Sequence, residues 1–101
     1  MSATLSGEFA TGSVAVAGNV SGPVIVPTGT TTMKLTLTGC DVNNTCKTQM
    51  RTAGGAWVDQ TTYNANQAGV AITVAAGQEW RLAHLTAQAI RDLQYRLSCE
   101  S

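Results

Sequence analysis

The chain has 101 residues, 6 of them basic and 6 acidic, with a formal net charge of +0 and a pI near 6.5. That length holds one domain, since a single core usually occupies about 100–150 residues. The cations Lys34, Lys47, Arg51, Arg81, Arg91 and Arg96 are spread along the chain, which argues against nucleic acid and against polybasic attachment to a membrane, both of which need a clustered positive field.

Charged residues make up only 12% of the chain, against a usual quarter, and Thr and Gly take much of the polar share. A surface this poor in charge suits a protein whose faces are covered by neighbours. Met1 leads straight into SATLSGEFATG, without the basic and apolar regions of a signal peptide. No apolar run approaches the ~18 residues of a membrane helix. Synthesis in a cytoplasm without export is the expectation.

In chain order, Val14 and Val16 alternate with small residues ahead of a turn at Gly18-Asn19. Val24, Ile25 and Val26 stand between Pro23 and Pro27, and proline's missing donor makes that strand very short or an edge. Met33 to Thr38 is the clearest strand, with Met33, Leu35 and Leu37 facing one way and Lys34, Thr36 and Thr38 the other. Gly39 to Cys46, rich in Asp and Asn, reads as a hairpin loop returning through Lys47 to Arg51. Gly54-Gly55 makes a tight turn into Trp57-Val58, and Val70, Ile72 and Val74 share one face of a strand ended by Gly77. The last quarter fits either a helical face through Trp80, Ala83, Ala87, Ile90 and Leu97, or two alternating runs. Turns every 8 to 12 residues upstream, with no cap after Gly77, favour a β-hairpin turning near Thr86 to Ala89. The fold class is therefore all-β: a single-domain antiparallel sandwich, jelly-roll-like.

No constellation for catalysis is visible, and no cofactor is expected. Cys40 and Cys46 flank DVNNT and face each other across one loop, either as free thiols or as a disulfide, while Cys99 is left over near the terminus. The spacing C-x5-C is not a zinc knuckle, so a metal site with His84 is not expected. His84, the one histidine, reads as a residue on a strand face. Glu8, Asp41, Asp59, Glu79, Asp92 and Glu100 are dispersed, and Glu79 with Arg81, like Arg91 with Asp92, reads as a surface pair. The triplets Asn19-Val20-Ser21 and Asn43-Asn44-Thr45 read as turn residues. Both tryptophans, Trp57 and Trp80, are expected in the core, and Tyr63 and Tyr95 at wetter edges.

Together, Gly54, Gly55, Trp57 and Val58; Gly69, Val70, Ile72 and Val74; Gly77, Trp80, Arg81 and Leu82; and Ile90, Arg91, Asp92, Arg96, Leu97 and Ser98 form a series over the last half of the chain. That series resembles the small β-sandwich structural proteins of tailed bacteriophages. The resemblance implies a virion part, foremost a capsid decoration or cement protein on the outer shell, partnered by the major capsid protein. Such proteins often assemble as trimers at three-fold positions, so a homo-oligomer is implied, without membrane or nucleic acid. The loop GCDVNNTC has no counterpart in that pattern. The rival role is a tail or head-fibre module that binds a receptor or carbohydrate through an exposed Trp or Tyr. An arm over residues 1–18 is expected to lie on a neighbour, and its loss to abolish particle binding while sparing the fold. The candidate interface residues are Leu5, Phe9, Val14, Val16, Tyr63 and Tyr95.

Overall fold

Where apolar and polar side chains alternate, one row of a strand can be buried and the other solvated. In the computed structural model, which describes residues 3–9, 20–85 and 93–99, this alternation yields eight strands. They are β1 (Ala3–Phe9), β2 (Val24–Ile25), β3 (Thr32–Thr38), β4 (Cys46–Arg51), β5 (Val58–Tyr63), β6 (Gln67–Thr73), β7 (Glu79–His84) and β8 (Leu93–Cys99). β3 shows the rule most clearly: Met33, Leu35 and Leu37 are buried, and Thr32, Lys34, Thr36 and Thr38 are exposed.

The strands form two four-stranded antiparallel sheets, ordered β1-β8-β3-β6 and β2-β7-β4-β5. Only β4 and β5 are neighbours both in sequence and in a sheet; the other consecutive pairs divide between the two sheets. That order is a jelly roll, the double Greek key that packs two sheets face to face. Between them lie Val24, Val26, Met33, Leu35, Leu37, Val74, Trp80, Leu82, Leu93 and Leu97, each of the larger side chains contributing about 1.5–3 kcal/mol on burial. Val70 and Ile72 of β6 pack against this core as their shared phase requires. β2 is two residues long and sits at an edge, as its flanking prolines dictate.

Three expectations change at this level. β7 and β8 are strands, but they lie in different sheets: β7 pairs with β2 and β4, and β8 with β1 and β3. They are therefore not a hairpin, and the expected turn at 86–89 lies outside the described residues. β3 and β4 likewise divide between the sheets, so Gly39 to Cys46 is a crossing rather than a hairpin loop. Alternation reveals which residues face inward but not which sheet a strand joins.

The third change concerns the N-terminus. β1 pairs with β8 over all seven residues, from Ala3↔Cys99 to Phe9↔Leu93. This part of the expected arm is an edge strand, and Leu5 packs on the core instead of projecting toward a partner. Deleting residues up to Gly18 would strip β8 of a neighbour, so the fold, and not just docking, would suffer. Val14, Val16 and the Phe9 side chain lie outside the description. At the other end, Cys99 is fully buried opposite Met33.

Candidate docking face

The outer face of the second sheet is built by the strand phases of β4 and β7. Thr48, Met50, Trp80 and Leu82 turn inward, which leaves Lys47, Gln49, Arg51, Glu79 and Arg81 on the outside. Trp57 joins them because of the turn between β4 and β5. There Gly54 takes φ 78°, a left-handed conformation that glycine adopts without strain, and Gly55 N–H donates to Thr52 O at 2.8 Å. The turn brings Trp57 back beside Arg51, on the solvent side of the sheet.

These side chains are connected in one row. Lys47 Nζ pairs with Asp59 Oδ2 at 2.9 Å, and Gln49 Nε2 donates to Asp59 Oδ1 at 2.9 Å. Gln49 Oε1 accepts from Arg81 Nε at 2.8 Å. The Arg81 and Arg51 guanidinium carbons lie 4.2 and 4.5 Å from the Trp57 ring centroid, and Arg51 pairs with Glu79 at 3.1 Å. The expected Glu79–Arg81 pair is thus replaced by Glu79–Arg51, since Arg51 is the direct cross-strand partner of Glu79. The bonds from Gln49 and Lys47 hold the Asp59 carboxyl below its ordinary range. Burial and then the nearby Arg51 charge lower the Arg81 guanidinium, which still stays cationic at neutral pH.

Cation–π contacts contribute about 0.5–1 kcal/mol each at exposed sites and more when desolvated. Two of them, with the ion pairs, fix an aromatic plane edged by guanidinium groups before any partner arrives. Ile25 (59% exposed), the cross-strand partner of Glu79, extends this row. Trp and Arg on a rigid scaffold beside an exposed aliphatic is the composition of a protein-binding hot spot.

The outer face of the first sheet differs. Thr36, Thr38, Gln94, Arg96, Lys34 and Ser98 line two shallow depressions of about 170 and 220 Å³. Both are small and lack the apolar walls of a small-molecule site. Tyr95, expected at an interface, is half-buried against the core, with its hydroxyl over Gly7. Tyr63 is also half-buried on the core side.

A buried polar cluster closes the end of the sandwich where β3 crosses to β4. Asn44, fully buried, donates from Nδ2 to Gly39 O at 2.8 Å, and its Oδ1 lies 2.7 Å from His84 Nε2. With the amide nitrogen committed to Gly39, Oδ1 must accept, so Nε2 of His84 carries the proton. Burial holds the His84 imidazole below its ordinary value and neutral. Cys40 and Cys46 are free thiols in hydrogen-bond contact with each other. Burial pushes Cys46 up to about 12 and also raises Cys40. Cys, His and Asn side chains occur together in thiol hydrolases, but the nucleophile of such an enzyme needs a lowered pKa, and burial raises both of these thiols. Among the described residues no group of three or more His, Cys, Asp or Glu assembles to hold a metal.

Of the residues singled out in the sequence, the structure brings Cys40, Cys46, Tyr63 and His84 together and leaves Leu5 and Tyr95 elsewhere on the sandwich. Sequence reasoning missed Asn44, read as a turn residue, and the outward position of Trp57. No known protein family matches the chain, and no similar curated protein or solved structure is found.

Proposed function

We propose that this protein is a non-catalytic structural component of a virus particle, a capsid decoration or cement protein of the tailed-bacteriophage type. On this reading it docks on major capsid protein subunits through the outer face of its second sheet. The observation that carries the docking face is the Trp57 ring held by Arg51 and Arg81 on the same face as exposed Ile25. The resemblance over the last half of the chain, the scarcity of charge and the jelly roll, an architecture used by capsid and lectin domains, support the particle role by analogy. A sugar stacking on Trp57 would first have to displace a guanidinium, which disfavours the carbohydrate-binding alternative.

Docking buries the aliphatic and aromatic area across joints between shell subunits and so resists their separation. The test is the copy number of this chain in purified particles of its source, by quantitative mass spectrometry against the most abundant shell protein. Comparable copies, with binding of the purified protein to stripped particles lost in Trp57→Ala, are the expected result. A handful of copies would move it to the tail or fibre. Absence from particles would overturn the reading.

A further inference from the structure

The crossing from β3 to β4 is more heavily anchored than a surface loop needs to be. Asp41 and Asn44 exchange backbone hydrogen bonds at 3.1 and 3.0 Å, and Asp41 Oδ1 accepts from Asn43 N–H at 2.8 Å. Asn66 Oδ1 accepts from Cys40 N–H at 2.9 Å, and Thr45 O accepts from Leu85 N–H at 2.9 Å. At the tip this frame presents Val42, 73% exposed. The base is closed by two sulfurs. Cys40 Sγ lies 3.5 Å from Tyr63 O, Tyr63 is the cross-strand partner of Cys46, and the two thiols share a hydrogen bond.

We propose that Cys40 and Cys46 are a built cross-linking site: a small-molecule disulfide of the glutathione type oxidises the pair to an intrachain bond that locks the loop presenting Val42. The third thiol does not compete. Cys99 sits opposite Met33 at the start of β3, and at about 3.3 Å per residue that is roughly 20 Å from Cys40 beyond the other end of the strand. The proposal is independent of what the chain docks to.

The exchange balances. Cys40, the less deeply buried of the two (4% against 0% exposed), loses its proton and attacks one sulfur of the glutathione disulfide, releasing one glutathione thiolate. Cys46 loses its proton and attacks the Cys40 sulfur of the mixed disulfide, releasing the second. Two cysteine thiols are oxidised, one glutathione disulfide is reduced, and the two protons end on the two glutathione thiols. Because burial raises both thiols, the exchange is slow at neutral pH and accelerates as pH rises.

The test uses the purified wild-type protein equilibrated in glutathione buffers from reducing to oxidising, then quenched with acid, denatured in the presence of the alkylating agent and digested with trypsin. Lys34 and Lys47 bound a single tryptic peptide, Leu35–Lys47, that contains both cysteines. In the oxidised form that peptide is about 2 Da lighter than its unalkylated reduced form and takes no alkyl group, while Cys99 is still alkylated. The bond is expected at a lower ratio of oxidised to reduced glutathione in the folded protein than in urea, because the fold already holds the sulfurs together. Two alkyl groups at every ratio, a persistent glutathione adduct, or a bond that forms more readily in urea would overturn the proposal. No variant is needed, so a misfolded mutant cannot obscure the result.

Discussion

Stability should fall as the solution is acidified from pH 7.5 to 5, and His84 should be the cause. It is the one histidine of the chain, 5% exposed, and its imidazole is held neutral by burial below the ordinary value of 6.5. Two groups that face it are Asn44 of the β3–β4 crossing, whose Oδ1 accepts a hydrogen bond from its Nε2–H, and Cys46 of β4, its cross-strand partner. The sign follows from linkage. The folded-state pKa is depressed, so the unfolded chain takes up the proton first as pH falls. The contribution is complete above about pH 6.5 and drains away as pH falls through 6.5 toward the folded-state value. Its slope in that window is at most about 1.4 kcal/mol per pH unit for one proton. For a domain of this size that is roughly 5–10 °C of Tm per pH unit. Asp59 does not interfere, because its carboxyl is lowered from 3.8 and its contribution is lost only at still lower pH. Thermal melts followed by circular dichroism at constant ionic strength read the effect, with His84→Gln as the control. Glutamine keeps an N–H donor for Asn44 and carries no titratable group. The variant should show a nearly flat Tm between pH 7.5 and 5. A flat wild-type profile, or a His84→Gln profile with the same slope, would refute the assignment.

Two further predictions follow from the same geometry. Asn44→Ala should cost about 2–4 kcal/mol in urea unfolding, because it leaves Gly39 O and the His84 N–H without their partner in a buried place; Asn43→Ala, on the exposed side of the same loop, should stay within about 0.5 kcal/mol. Trp80→Ala, in the core, should cost about 3–5 kcal/mol. Trp57→Ala removes two guanidinium contacts on the outer face and should cost about 1–2 kcal/mol by the same assay. Equal losses at the two tryptophans would remove the distinction between a core and a platform residue.

Much of the sandwich is legible in the sequence because a buried strand face must alternate. Met33, Leu35 and Leu37, or Leu93, Tyr95 and Leu97, can be aligned with the core from their spacing alone. Pairing is a different matter. Whether β8 lies beside β7 or beside β1 and β3 depends on which arrangement buries both sheets at once, and that is a property of all eight strands together. The cluster at the β3–β4 crossing was hidden for a related reason. Asn44 and His84 are forty positions apart, and each is an ordinary polar residue until the jelly roll puts β7 against the end of the crossing. Asn in a loop signals a turn through its local hydrogen bonds; nothing local signals that its amide will be sealed between a carbonyl and an imidazole.

Trp57 shows where composition misleads. A chain with few aromatics invites the inference that each large ring fills the core, and for Trp80 that inference holds. The phase of the strands gives the better answer. Met50 packs on the core, so its neighbour Arg51 lies outside, Arg81 reaches the same surface from β7, and both guanidinium groups sit over the Trp57 ring there. An indole on that face would leave a large apolar plane in water unless something covered it. Two guanidinium groups do so in part, leaving the ring half-buried on the outer face. The residue is thereby kept ordered at the surface and not withdrawn from it, which is the condition an interface anchor must meet and a core residue need not.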